Sequence, residues 1–134
     1  MKKLILIAAS LLAGAAWGHA GGGAGDETVT PIARAALAPV LNKQANAVRV
    51  DFAPGATSHP HTHPGHVFAV VLSGEVESAL GDQPPQRYKA GDAWYEAPGE
   101  LHRVTRNASS TTPATIVAWV LSNGTEPLVR AAPQ

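Results

Sequence analysis

The sequence predicts an all-β domain, a sandwich or small closed barrel, on three observations. Short apolar or alternating runs recur after Val29 at intervals of about ten residues, the rhythm of such folds. Gly and Pro punctuate the runs, and no apolar recurrence at helical spacing is sustained over several turns. The length of 134 residues is that of one domain, and 45% hydrophobic with 15% charged residues suits a folded chain. Aromatics make up only 5%, so the core must rest on Val, Leu, Ile and Ala.

Residues 1–20 read as a secretory signal peptide. Met1-Lys2-Lys3 is a positive n-region, Leu4–Ala16 an apolar stretch too short to span a bilayer, and Gly18-His19-Ala20 a small-x-small cleavage pattern. The expected mature product is periplasmic or secreted, with no stable membrane anchor after cleavage. Residues 21–46 are expected to hold a flexible Gly-rich terminus and a first strand. Within them Ile32–Leu37 fits either one helical turn or an edge strand ending before Pro39.

Residues 47–122 form the expected barrel. Ala47–Phe52 alternates as a half-buried strand does, and Pro54-Gly55 turns the chain. Val67–Leu72 is continuously apolar, as in a strand covered on both faces. Ser73-Gly74 then leads to the alternating Glu75–Leu80, and the two runs read as a hairpin. Arg87-Tyr88, Ala93–Glu96, His102–Arg106 and Ala114–Leu121 follow, separated by Gly81–Pro85, Ala90-Gly91-Asp92 and Pro98-Gly99. Residues 123–134 read as a loosely tied tail.

With no Cys, the chain has no disulfide, thiolate metal site or cysteine nucleophile. Ten basic against ten acidic groups, without a Lys/Arg run, argue against nucleic acid as a partner. The chemistry therefore concentrates in histidine. Four of the six fall at His59, His61, His63 and His66, and another is His102. His61 and His63 are two residues apart, so in a strand both rings face one way and can converge on one ion. On spacing alone a solvated surface cluster accounts for them equally well. Imidazole suits Zn, Cu, Fe and Ni, and an added carboxylate extends the choice to Mn.

Gly55, five residues, His61-Thr62-His63 and the later Gly74 resemble the first motif of the cupin superfamily. Gly91, Pro98-Gly99, His102 and the nearby Asn107 resemble the second. The resemblance implies a single-domain double-stranded β-helix, a jelly-roll barrel, with a divalent metal ion held by His61, His63 and His102. Two departures stand out. The family's glutamate would fall at Val67, and the Pro-x-Gly of the second motif is contracted to Pro98-Gly99. Three-histidine centres resemble the thiol dioxygenase branch. Glu96 is the expected replacement carboxylate: a lone Glu between Tyr95 and Ala97 is exposed or paired, and even spacing from His102 allows a shared face. His66 competes for the role, although the pleat turns it away if Val67 points inward. His59, His66 and Tyr95 are candidates for the surroundings of the ion.

Trp94 and Trp119 read as core or cavity wall, Tyr88 as core, and Arg49, Arg103 and Arg106 as solvated strand residues. Asp92 reads as a turn residue. Asn107-Ala108-Ser109 matches a glycosylation sequon that export from a bacterium would leave unmodified. The expected function is that of an exported metal-binding protein acting on a small-molecule ligand or substrate. A dioxygenase-type oxidoreductase is one reading, and a non-catalytic metal or ligand binder is the other. A strand-mediated homodimer fits the apolar run Val67–Leu72.

Overall fold

A computed structural model describes residues 27–37 and 42–133. The signal-peptide expectation for residues 1–20 lies outside them. Ten strands account for the regular structure: β1 Glu27–Ala36, β2 Lys43–Phe52, β3 His61–Thr62, β4 Val67–Ser73, β5 Glu75–Leu80, β6 Gln86–Lys89, β7 Ala93–Glu96, β8 His102–Asn107, β9 Ala114–Asn123 and β10 Arg130–Ala131. They form two five-stranded antiparallel sheets, ordered β1-β2-β9-β4-β7 and β10-β3-β8-β5-β6. Among the described residues no helix is long and apolar enough to cross a membrane. Ile32 lies in the edge strand β1, which settles the choice left open by its sequence.

The inner faces of the two sheets enclose Phe52, Val67, Ala69, Val71, Val76, Trp94, Ile116, Ala118 and Val120. Phe52 and Trp94 are the only aromatics of this cluster, as the composition requires. Each fully buried Val contributes about 1.5–3 kcal/mol relative to an exposed one. The outer face of the first sheet is more open than the run Val67–Leu72 implies. Val67, Ala69 and Val71 point inward, whereas Phe68 and Leu72 are exposed. Phe68 stands opposite Tyr95 on β7 and Trp119 on β9, so Trp119 belongs to this outer row and not to the core.

Two further expectations are corrected. The runs Val67–Leu72 and Glu75–Leu80 do not pair as a hairpin: β4 pairs with β7 and β9, β5 with β6 and β8. Gly74 carries the chain from one sheet to the other at φ 72°, where a Cβ would lie 2.6 Å from the Pro113 carbonyl oxygen. Pro98-Gly99 likewise passes the chain between sheets, from β7 to β8. The tail is not loose, because β10 pairs with β3 and Leu128 packs against the core.

Candidate metal centre

Two short stretches deliver the polar groups to the inside of the barrel. In β3 and just beyond it, His61 and His63 share a face, their ring centroids 4.9 Å apart at nearly a right angle. His61 is the cross-strand partner of His102 on β8, and those centroids lie 5.0 Å apart. The β5–β8 register shifts between Ala79 and Leu80. That irregularity brings His102 and Thr105, three residues apart, onto the same side as Ser78, the re-aiming that a bulge performs. One ring nitrogen from each of His61, His63 and His102 lies within 4.8 Å of the others.

Each imidazole is held by its second nitrogen. His61 Nδ1 donates to the His59 carbonyl at 2.7 Å, and His63 Nδ1 donates to the Leu128 carbonyl at 2.7 Å. A carbonyl only accepts, so the proton sits on Nδ1 in both rings and Nε2 keeps its lone pair. Such outer hydrogen bonds fix the orientation and tautomer of metal-ligating histidines. His102 places Nε2 against Thr105 Oγ1 at 2.7 Å and Ser78 Oγ at 2.8 Å. Those hydroxyls donate or accept, so they serve either tautomer of the ring. Its Nδ1 faces Glu96 Oε1 at 3.1 Å.

Glu96 is the buried carboxylate beside these three histidines. It is 2% exposed at the end of β7, with Oε1 accepting from Trp94 Nε1 at 2.9 Å. Oε2 lies 3.6 Å from His63 Nε2 and has no hydrogen-bond partner among the described residues. Burial opposes the charge of Glu96, but His102, His63 and the Trp94 indole outweigh it and hold the carboxyl below its usual range. Burial pushes His61 down to about 4 and lowers His63 as well, the neutral form that a metal needs. A buried carboxylate oxygen with no donor among the described residues, beside the His63 Nε2 lone pair, is an arrangement that a cation satisfies and a dry apolar core does not. Three imidazoles and one carboxylate suit Fe, Mn, Zn, Cu or Ni.

The position that the cupin pattern reserves for glutamate is Val67, and Val67 is the direct cross-strand partner of Glu96. Both point inward, so the carboxylate enters from the neighbouring strand. The other candidates lie apart from this cluster. His66 is exposed and pairs with the Tyr95 hydroxyl at 2.7 Å on the outer face. Strand alternation explains both, since Val67 and Glu96 take the inward slots beside them. His59 contributes its carbonyl, while its residue is exposed. Asn107 is buried and engaged with the Ala53 and Thr112 carbonyls, a structural knot rather than an accessible sequon. Ser78, Thr105 and the Leu128 carbonyl escape sequence reading because neither bulges nor tail docking show in residue order. Trp94 is in the core, as its sequence reading as core or cavity wall allows, but its hydrogen bond to Glu96 was not foreseen. Its spacing of two from Glu96 was the available signal for a shared face.

The family described as Cupin domain matches residues 48–120. No curated protein matches the chain. Among solved structures it is similar to an uncharacterized protein with a double-stranded β-helix domain from Klebsiella pneumoniae, at 23% identity and TM-score 0.64, covering 85% of this chain and 90% of that one. It is also similar to an oxalate oxidase at 26% identity and TM-score 0.55, covering 63% of this chain and 45% of that one. A DMSP lyase from Ruegeria pomeroyi gives 26% identity and TM-score 0.55, covering 65% and 42% respectively. This chain therefore spans less than half the length of either enzyme.

Proposed function

This chain belongs to the cupin domain family, and on that premise we propose that it is an exported metal-binding cupin acting on a small anionic molecule as a dioxygenase-type oxidoreductase. The observation that carries the metal reading is Glu96 Oε2, buried beside His63 Nε2 with no hydrogen-bond partner among the described residues. His61, His63, His102 and Glu96 would hold a divalent ion. Such an ion supplies a Lewis acid and a template that orients substrate.

The chain's own residues do the rest. The His59 and Leu128 carbonyls keep two rings in the ligating tautomer, and Trp94 keeps Glu96 turned inward. Val67 and Val120, on the same rung as Glu96 and fully buried, exclude water beside it, which strengthens the charge interactions there. Similarity to an oxalate oxidase and a DMSP lyase, both at 26% identity, supports a small carboxylate-bearing molecule as the one handled. Export rests on the pattern of residues 1–20 and is checked by N-terminal sequencing of the protein recovered from the cell envelope. The rival reading, a non-catalytic metal binder, has the depth of the site in its favour: His63, His102 and Glu96 are all under 9% exposed.

Metal analysis of protein prepared without nickel-affinity capture tests the centre. One equivalent of a divalent metal is expected, lost on combined His61→Ala and His63→Ala substitution. Metal below stoichiometry and indifferent to those substitutions refutes it. Oxygen uptake with small carboxylates, thiols, phenols and diketones then separates enzyme from binder.

A further inference from the structure

We propose that the C-terminal segment 125–132 is a working strap of the metal centre, which fixes the ring of His63 and so sets metal affinity. The metal half of this statement rests on the function proposed above; the positioning half stands on contacts within this chain. Beyond β9 the chain turns at Asn123–Glu126, where the Glu126 amide donates to the Asn123 carbonyl at 3.1 Å and Asn123 Nδ2 donates to Glu126 Oε2 at 3.0 Å. Leu128 then seats its side chain against the core, and its carbonyl receives His63 Nδ1. Arg130 and Ala131 pair with Thr62 and His61, and the Ala132 amide donates to the Pro60 carbonyl at 3.1 Å. Every one of these ties to β3 and its flanks falls on Pro60–His63, the stretch that carries two ligands.

That stretch needs support. β3 has two residues, and among the described residues its only other strand pairing is the single His61–His102 partnership. A strand so short gains little stability from one neighbour. The Leu128 carbonyl also decides the chemistry of His63. While Nδ1–H donates to it, Nε2 offers a lone pair 3.6 Å from Glu96 Oε2. Without that carbonyl the ring proton is free to settle on Nε2, where it meets the unpartnered Oε2 and blocks ligation. Seating the strap thus turns a histidine–carboxylate hydrogen-bonded pair into two ligands. The seat itself is light: one half-buried leucine, a few hydrogen bonds and an exposed Arg130–Glu126 contact at 3.5 Å that is worth little.

The test uses the full chain with Leu128→Ala and Ala132→Pro combined. The first substitution loosens the seat and the second deletes the amide donor to Pro60. Two quantities are read: the protonated nitrogen of His63, by nitrogen-15 NMR of the metal-stripped protein, and zinc affinity by chelator competition. The parent is expected to protonate Nδ1, and the double variant to move proton population to Nε2 and bind zinc about 10–100-fold more weakly. Leu128→Met, which refills the seat, should restore both. A double variant that keeps the parent's ring proton and zinc affinity overturns the proposal. Should the double variant fail to fold, Ala132→Pro alone is judged by the same two quantities. If the parent binds no zinc, the metal reading fails separately, and the position of the His63 ring proton still decides whether the strap fixes it.

Discussion

Gly65→Ala is a substitution whose sign the local geometry reverses. Gly65 has no left-handed φ, and a Gly→Ala exchange at such a position ordinarily stabilises by about 0.4–1 kcal/mol by restricting the unfolded chain. Here a Cβ would stand 1.4 Å from the Leu121 carbonyl oxygen and 2.6 Å from its carbon. Both obstacles are backbone of β9, and the contact is flanked by the Leu121 amide donating to the His66 carbonyl at 2.8 Å. No rotamer relieves it, so two backbones must separate by well over an ångström. The cost should therefore exceed the ~1–3 kcal/mol usual for an overpacked side chain. At about 4 °C per kcal/mol, the melting temperature should fall by more than about 12 °C. Gly55→Ala is the matched control: at φ 73° with nothing within 4 Å of its Cβ, it should cost only the left-handed backbone penalty of about 1–2 kcal/mol. Thermal unfolding by circular dichroism reads both. Because Gly65 joins His63 to β4, zinc affinity should fall with it. A Gly65→Ala protein as stable as the parent, or more so, refutes the reasoning.

Glu96→Gln should bind zinc at least about tenfold more weakly, yet change the metal-free stability little. Lost charge-assisted bonds to Trp94 and His102, about 1.5–3 kcal/mol, oppose the relief of an unpartnered buried oxygen, about 1–3 kcal/mol; calorimetric titration showing parental affinity defeats it. Ser78→Ala with Thr105→Val strips both hydroxyls from His102 Nε2, and should cost about 1–3 kcal/mol and weaken metal binding about 10–100-fold. Thr105→Ser should recover most of both, as urea denaturation and chelator competition will show. His61 titrates near 6.5 unfolded and about 4 folded, so the unfolded chain binds more protons between those values. Metal-free stability should be full above pH 6.5 and decline toward pH 4, with metal released over the same window. A denaturation midpoint that is flat over that range in the parent, or equally sloped in His61→Asn, contradicts the assignment.

The fold was legible because alternation and Gly/Pro punctuation are local signals, and the chain carries both from Ala47 to Leu121. Pairing was less so. A strand crossing between sheets at Gly74 looks, in one dimension, like a strand turning back beside its neighbour. His61 and His63 were readable from their spacing of two, and His102 from the second motif. For Glu96, the sequence reasoning holds for its burial beside the histidines and fails for its parity with His102. Its even spacing from His102 gives a shared face only where Pro98-Gly99 preserves register; the chain instead changes sheets there, and the two residues meet because each faces the interior. Burial of a lone carboxylate was the sounder signal, since such a group needs a partner wherever the chain runs. Tyr95 and Trp119 were misplaced because an aromatic residue fits either face of a strand, and only the register shows that both stand beside Phe68 on the outside.

The rung that joins Val67 to Glu96 has a wider meaning for how such a centre persists through sequence change. Two residues that share a rung and face the same way reach almost the same volume, so an acidic group can step sideways without any alteration of the surrounding scaffold. What endures is then a location in three dimensions, open to tenancy from either side of a ladder. An ordered string of residues, which tracks the chain and not the ladder, records only Val67 at that place.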